Sequence, residues 1–172
     1  MTSRLHHRAV VAVLLTASVP LSGQHPFMPA GMTHAQHQAQ MKKDAELKKR
    51  GALAMGFDQD KAVHHFRTTP TGGIIEVAVA DRSDPETLKQ VRAHLAVIAK
   101  EFANGDFAKP FATHAEMPPG VKEMQKRKNA ITYRYEETTT GGRVVISTSD
   151  ARAKKAITEF LQYQTREHHT GV

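Results

Sequence analysis

Apolar and polar positions alternate in two stretches of this chain, and each stretch is followed by an apolar stripe at helical spacing. In the first stretch, Ala62 to Thr68 reads as a strand. Ile75, Val77 and Val79 share one face of a second strand over 74–80, and Glu76 and Ala78 take the other. Gly72-Gly73, between them, reads as a hairpin turn. Asp84-Pro85 then opens a helix, with Asp as the cap and Pro at the first helical position. Leu88, Val91, Leu95, Ile98 and Phe102 form its stripe, and Asn104-Gly105 marks its end.

The second stretch repeats this grammar. Ile131, Tyr133 and Tyr135 alternate along one strand, Gly141-Gly142 reads as a turn, and Val144, Ile146 and Thr148 alternate along the next. Asp150 caps a last helix with Ile157, Phe160, Leu161 and Gln164 on one side. The two stretches align without a gap at an offset of 69 residues, and 5 of the 16 positions from Phe66–Asp81 against Tyr135–Asp150 are identical. Apolar phase agrees as well, with Ile75 over Val144, Val77 over Ile146 and Leu88 over Ile157. A strand-strand-helix unit cannot bury its own apolar face, so two units should pack together. The expected fold is α+β: a two-layer domain with a four-stranded antiparallel sheet and two helices on one face. It is built from a tandem β-β-α repeat over about 62–102 and 131–169.

What flanks the repeat is less regular. Between the units, 106–129 carries Pro110 and Pro118-Pro119-Gly120 and reads as a long loop with one short basic helix at about 121–128. Residues 24–54 form a polar segment rich in His and Met. Thr33 caps a helix there over roughly 34–50, ending at Gly51 and docking little on the domain, which runs from 55 to 172. Residues 1–23 have Arg4 and Arg8 ahead of an apolar run from Ala9 to Val19, the layout of a secretory signal peptide. That run is too short for a stable membrane span, so the mature chain is expected in the periplasm or outside the cell.

Composition narrows the chemistry. With no cysteine, thiolate metal sites and disulfides are excluded. Loss of Arg4 and Arg8 with the leader lowers the formal net charge from +7 to +5. The basic residues are spread over helices with few aromatics among them, which argues against nucleic acid as a partner. No nucleophile elbow, phosphate loop or dinucleotide fingerprint is present.

The histidines remain. The repeat places His64 opposite Tyr133, on the strand face turned towards the helices, and sends His65 to the other face. His94 aligns with Tyr163 at the edge of a helical stripe, His168 falls near the buried stripe of the last helix, His169 points outward, and His114 lies in the central loop. His64, His94, His114 and His168 therefore form a candidate transition-metal set, with His65 as the substitute ligand and copper or zinc as the ion. The tail adds His25, Met28, Met32, His34, His37 and Met41, of which His34, His37 and Met41 share a helical face and suit copper. No local metal-binding spacing supports the set, since there is no His-x-x-x-His on a helix and no His-Glu-x-x-His. The competing reading makes these histidines structural, in an interaction module that uses its sheet face or central loop. An enzyme, with a His as general base beside Asp106, Glu116 or Glu167, stands third.

From Met55 to Gly171 the chain resembles a family of uncharacterised secreted bacterial proteins. The segments that carry the resemblance are Met55-Gly56-Phe57, His64-His65-Phe66, Gly72-Gly73, Arg92-Ala93-His94-Leu95, Gly105-Asp106-Phe107, Pro118-Pro119-Gly120, Tyr135-Glu136-Glu137-Thr138 and His168-His169-Thr170-Gly171. The resemblance implies one compact domain and draws attention to the His segments, without implying an activity. A carbamoyltransferase is excluded, because the chain has no Ser-x-Arg-Thr loop and is too short for two α/β domains.

Overall fold

The structure, a computed structural model, describes residues 31–168. The expected signal peptide over 1–23, the tail residues His25 and Met28, and His169 lie outside the described residues. In chain order the elements are α1 (His34–Met55), β1 (Ala62–Thr69), β2 (Gly72–Val79), α2 (Pro85–Ala103), α3 (Ala108–His114), α4 (Val121–Lys126), β3 (Ile131–Thr138), β4 (Gly141–Thr148) and α5 (Ala151–Glu167).

The four strands form one antiparallel sheet in the order β1-β2-β4-β3. At its centre Ile75 of β2 pairs with Val144 of β4. These two are equivalent in the repeat, so a pseudo-two-fold axis passes between them. Ile75, Val77, Val144 and Ile146 are buried beneath the helices, as their alternation requires. Both capping predictions hold. Asp84 accepts from Thr87 N ahead of Pro85, and Asp150 accepts from Arg152 N and Ala153 N.

Each unit lends its helix to the other. The second hairpin lies under α2 and the first lies under α5. This exchange explains both glycine pairs. The turns are Pro70-Thr71 and Thr139-Thr140, and the glycines open the strands that follow. A Cβ on Gly73 would sit 2.1 Å from Leu161 Cδ1, and one on Gly142 would sit 3.2 Å from Leu95 Cδ1. The outer glycines face backbone instead: a Cβ on Gly72 would meet Ile146 O at 2.3 Å, and one on Gly141 would meet Val77 O at 1.9 Å. Glycine is required here by the close approach of neighbouring strands and of the borrowed helix, and not by turn geometry.

Helix α1 also departs from expectation. It has the predicted cap at Thr33, which forms a capping box with Gln36, but it runs through Gly51 to Met55 and ends at Gly56, which has φ 78°. Gly51 is buried, and a Cβ there would meet Gln59 Nε2 at 1.7 Å, so this glycine serves a contact and does not stop the helix. The helix docks against α3. Leu47 is buried, Arg50 Nε donates to Thr113 O at 3.0 Å, and Lys43 pairs with Glu167 at 3.0 Å. The central segment holds α4 where a short helix was expected, and one further helix, α3, that periodicity missed. No described helix is long and apolar enough to cross a membrane.

Candidate functional site

Between the first hairpin and the helices lies a cavity of about 60 Å³, and His64, His94, His114 and His168 all line it. Four elements deliver them. β1 turns His64 inward and leaves it 7% exposed, while His65 next to it is exposed on the other sheet face, opposite Glu76. His65 therefore takes no part in the cavity and cannot substitute for its neighbour. His94 comes from α2 and is half-buried, His114 ends α3 and is buried, and His168 is the C-cap residue of α5.

His168 sits between two of the others. Its ring centre lies 5.2 Å from that of His64, with planes 22° apart, and 5.3 Å from that of His114, nearly perpendicular at 89°. Phe57 bridges the remaining one, stacking on His64 at 6.0 Å and meeting His94 edge-on at 5.6 Å. Three imidazoles thus form a chain of ring contacts, and His94 faces the same space from behind Phe57. Among the described residues, however, no group of three or more His, Cys, Asp or Glu side chains is arranged to hold a metal ion. The tail residues stand apart from the cavity lining: His34 and Met41 are exposed, and His37 is half-buried.

Burial disfavours the charged form of His64, His94 and His114. Burial lowers His64 to about 4, with the charge of His65 adding to the effect. Burial also lowers His94 to about 4, helped by the charges of His64 and Lys109. His114 is lowered by burial as well, against the opposing pull of its Gln164 hydrogen bond and of Glu167 and Glu116. Neutral imidazole is the form that offers a lone pair.

Two of the ring nitrogens are without a partner inside the protein. His64 Nε2 and His114 Nδ1 are both buried and make no hydrogen bond. For His114 the reason is visible: Nε2 donates to Gln164 Oε1 at 3.0 Å, which leaves Nδ1 as the basic nitrogen. Gln164 is a polar residue inside the apolar stripe of α5, and that anomaly was its signal in the sequence. Met55, at the end of α1, also lines the cavity, although sequence reasoning treated it only as an apolar opening to the domain. The carboxylates nearest His114 are engaged elsewhere, Glu116 with Tyr163 Oη at 2.6 Å and Glu167 with Lys43. A general-base pair is therefore not assembled from them.

Comparison of the chain with family models, with curated proteins and with solved structures gives no match.

Proposed function

We propose that this protein binds a transition-metal ion, copper or zinc, in the cavity, through His64, His114 and His168, with His94 behind them. The observation that carries this reading is the pair of buried, unpartnered nitrogens, His64 Nε2 and His114 Nδ1, on imidazoles held neutral in one cavity. A buried polar atom left unbonded costs about 1–3 kcal/mol. Such atoms in a folded protein mark strain, chemistry or an absent ion. Binding an ion offsets the cost at both nitrogens.

Ring spacing supports the same reading. Metal–nitrogen bonds of about 2.0–2.1 Å put the centres of two imidazoles on one tetrahedral ion roughly 5 Å apart. The two contacts made by His168 have this spacing. Ring orientation must change for the lone pairs to converge. His114 ends one helix and His168 caps another. The Gln164 bond to His114 is the kind of outer contact that fixes the tautomer of a ligating histidine.

The reading extends to place and kin. A leader over 1–23 and a chain without cysteine suit a periplasmic or secreted metal protein. The segments that resemble secreted bacterial proteins supply His64, His94 and His168, and we extend the proposal to that group.

Melting of the purified chain with Cu(I) kept reduced, or with Cu(II), Zn(II) or Ni(II), tests the proposal. Free metal at 100 times Kd should add about 2.7 kcal/mol of stability. No shift with any ion would overturn it, and so would a shift that survives His64→Gln. The apolar walls, including Phe66, Val77, Leu95 and Phe160, favour one second reading, a small uncharged aromatic ligand. Stabilisation by such a compound, in the absence of any metal effect, would select it.

A further inference from the structure

We infer that the ion this cavity takes is cuprous copper, with the Met55 thioether as its soft ligand beside the imidazoles of His64, His114 and His168. The inference rests on the metal-binding reading above and sharpens it to one ion.

The first argument is charge. Among the described residues that line the cavity there is no Asp or Glu, and the only charged side chain is Lys109. Lys109 is itself ion-paired with Glu101. An ion entering this space therefore meets no carboxylate in the cavity lining, and Glu116 and Glu167 act on His114 only from beyond it. The cost of removing an ion from water rises with the square of its charge, so a dication meets roughly four times the penalty of a monocation. Zinc sites meet that penalty with thiolates, with carboxylates or, where the ligands are histidines, with a bound water turned to hydroxide. This chain has no cysteine and supplies no carboxylate to the cavity. A monovalent ion is the better match.

The second argument is ligand type. Met55, the last residue of α1, is partly buried against the core and lines the cavity with the histidines. Thioethers are soft ligands that favour Cu(I), whereas hard dications gain little from them. The cuprous ion is also content with two or three nitrogen and sulfur ligands, the number that the His64, His168 and His114 chain of rings supplies. The third argument is the buried His64 Nε2, an unpartnered nitrogen on a side chain that is 7% exposed and lines this space.

The test is an anaerobic titration of the full chain with Cu(I) buffered by bathocuproine disulfonate. A parallel titration uses Zn(II) buffered by a chromophoric chelator, and X-ray absorption follows on the copper-loaded protein. One equivalent of Cu(I) should bind at least 100-fold more tightly than Zn(II), with a sulfur scatterer in the copper shell. Met55→Leu keeps the volume and the fold, and should weaken Cu(I) at least tenfold while changing Zn(II) little. His64→Gln should lose the equivalent altogether, which separates the cavity from the His and Met residues of the 25–41 segment. Zn(II) bound as tightly as Cu(I) would overturn the cuprous assignment and leave the metal reading standing. Tight Cu(I) binding without a sulfur scatterer, unchanged in Met55→Leu, would overturn the role of Met55. Binding of neither ion would overturn the metal reading itself.

Discussion

The two hairpins of this sheet are near copies with different contents beneath them. Under the second, Tyr133 occupies the place that His64 holds under the first. Its ring packs on the core and meets Phe102 edge-on at 5.9 Å. Phe107, Val121 and Met124 from the central segment are buried in the same core. Under the first hairpin an imidazole, His64, stands where the copy has the phenol of Tyr133. The second such pair is split by the exchange of helices: His94 comes from α2, and its repeat partner Tyr163, on α5, meets His114 edge-on at 5.1 Å. The scaffold thus accepts either ring at these positions, and histidine brings only what an imidazole can do.

The comparison can be broken or sharpened, and the largest effect tests what the halves share. Gly141→Ala puts a methyl on Val77 O, and Gly72→Ala does the same to Ile146 O. Backbone cannot swing aside, so each substitution should cost about 4 kcal/mol or more. Equal loss in denaturant melts is expected. A large loss for one and none for the other would show that the pseudo-symmetry is only apparent.

Acid should act on the first half alone. His64 and His94 stay neutral in the folded chain down to about 4, whereas unfolded imidazole binds its proton near 6.5. Between those values the unfolded state holds more protons, so stability falls as pH drops from about 6.5 towards 4, by about 2 kcal/mol for each group at pH 5. A flat stability profile between pH 7 and 5 in the metal-free chain would contradict the burial of these rings.

Converting the first half into the second is gentler. His64→Tyr should fill the cavity, fold within about 1.5 kcal/mol of the parent at pH 7, and lose metal binding. It should also lose one group's share of the acid sensitivity. Collapse of the fold would mean that the scaffold needs the imidazole. The smallest effect should come from Gln164→Met, which removes the hydrogen bond to His114 at a cost of about 1 kcal/mol. Metal affinity should nevertheless fall about 10–100-fold as the tautomer is released, a split between stability and affinity that a merely structural glutamine would not give.

Much of this was readable from residues. Period-two alternation set the inward face of each strand and so separated His64 from His65. Asp84-Pro85 and Asp150 marked two helix starts because a cap is a local hydrogen bond. Other features were read wrongly. Gly72-Gly73 and Gly51 carry the signature of turn and stop, but they are glycines because other residues press on them, from Ile146 and Leu161 far along the chain in the first case and from Gln59 in the second. Ala108–His114 gave no helical stripe, since its buried residues, Thr113 and His114, are polar.

The sequence by itself determined the repeat, the face of each strand and the phase of each helix, because periodicity records how a residue sits on its own element. Only the tertiary structure decided which residues share a space. Exchange of helices between units brings His168 of α5 over β1, docking of α1 brings in Met55, and α3 brings in His114. Those meetings depend on packing between elements far apart along the chain, and no local spacing encodes them.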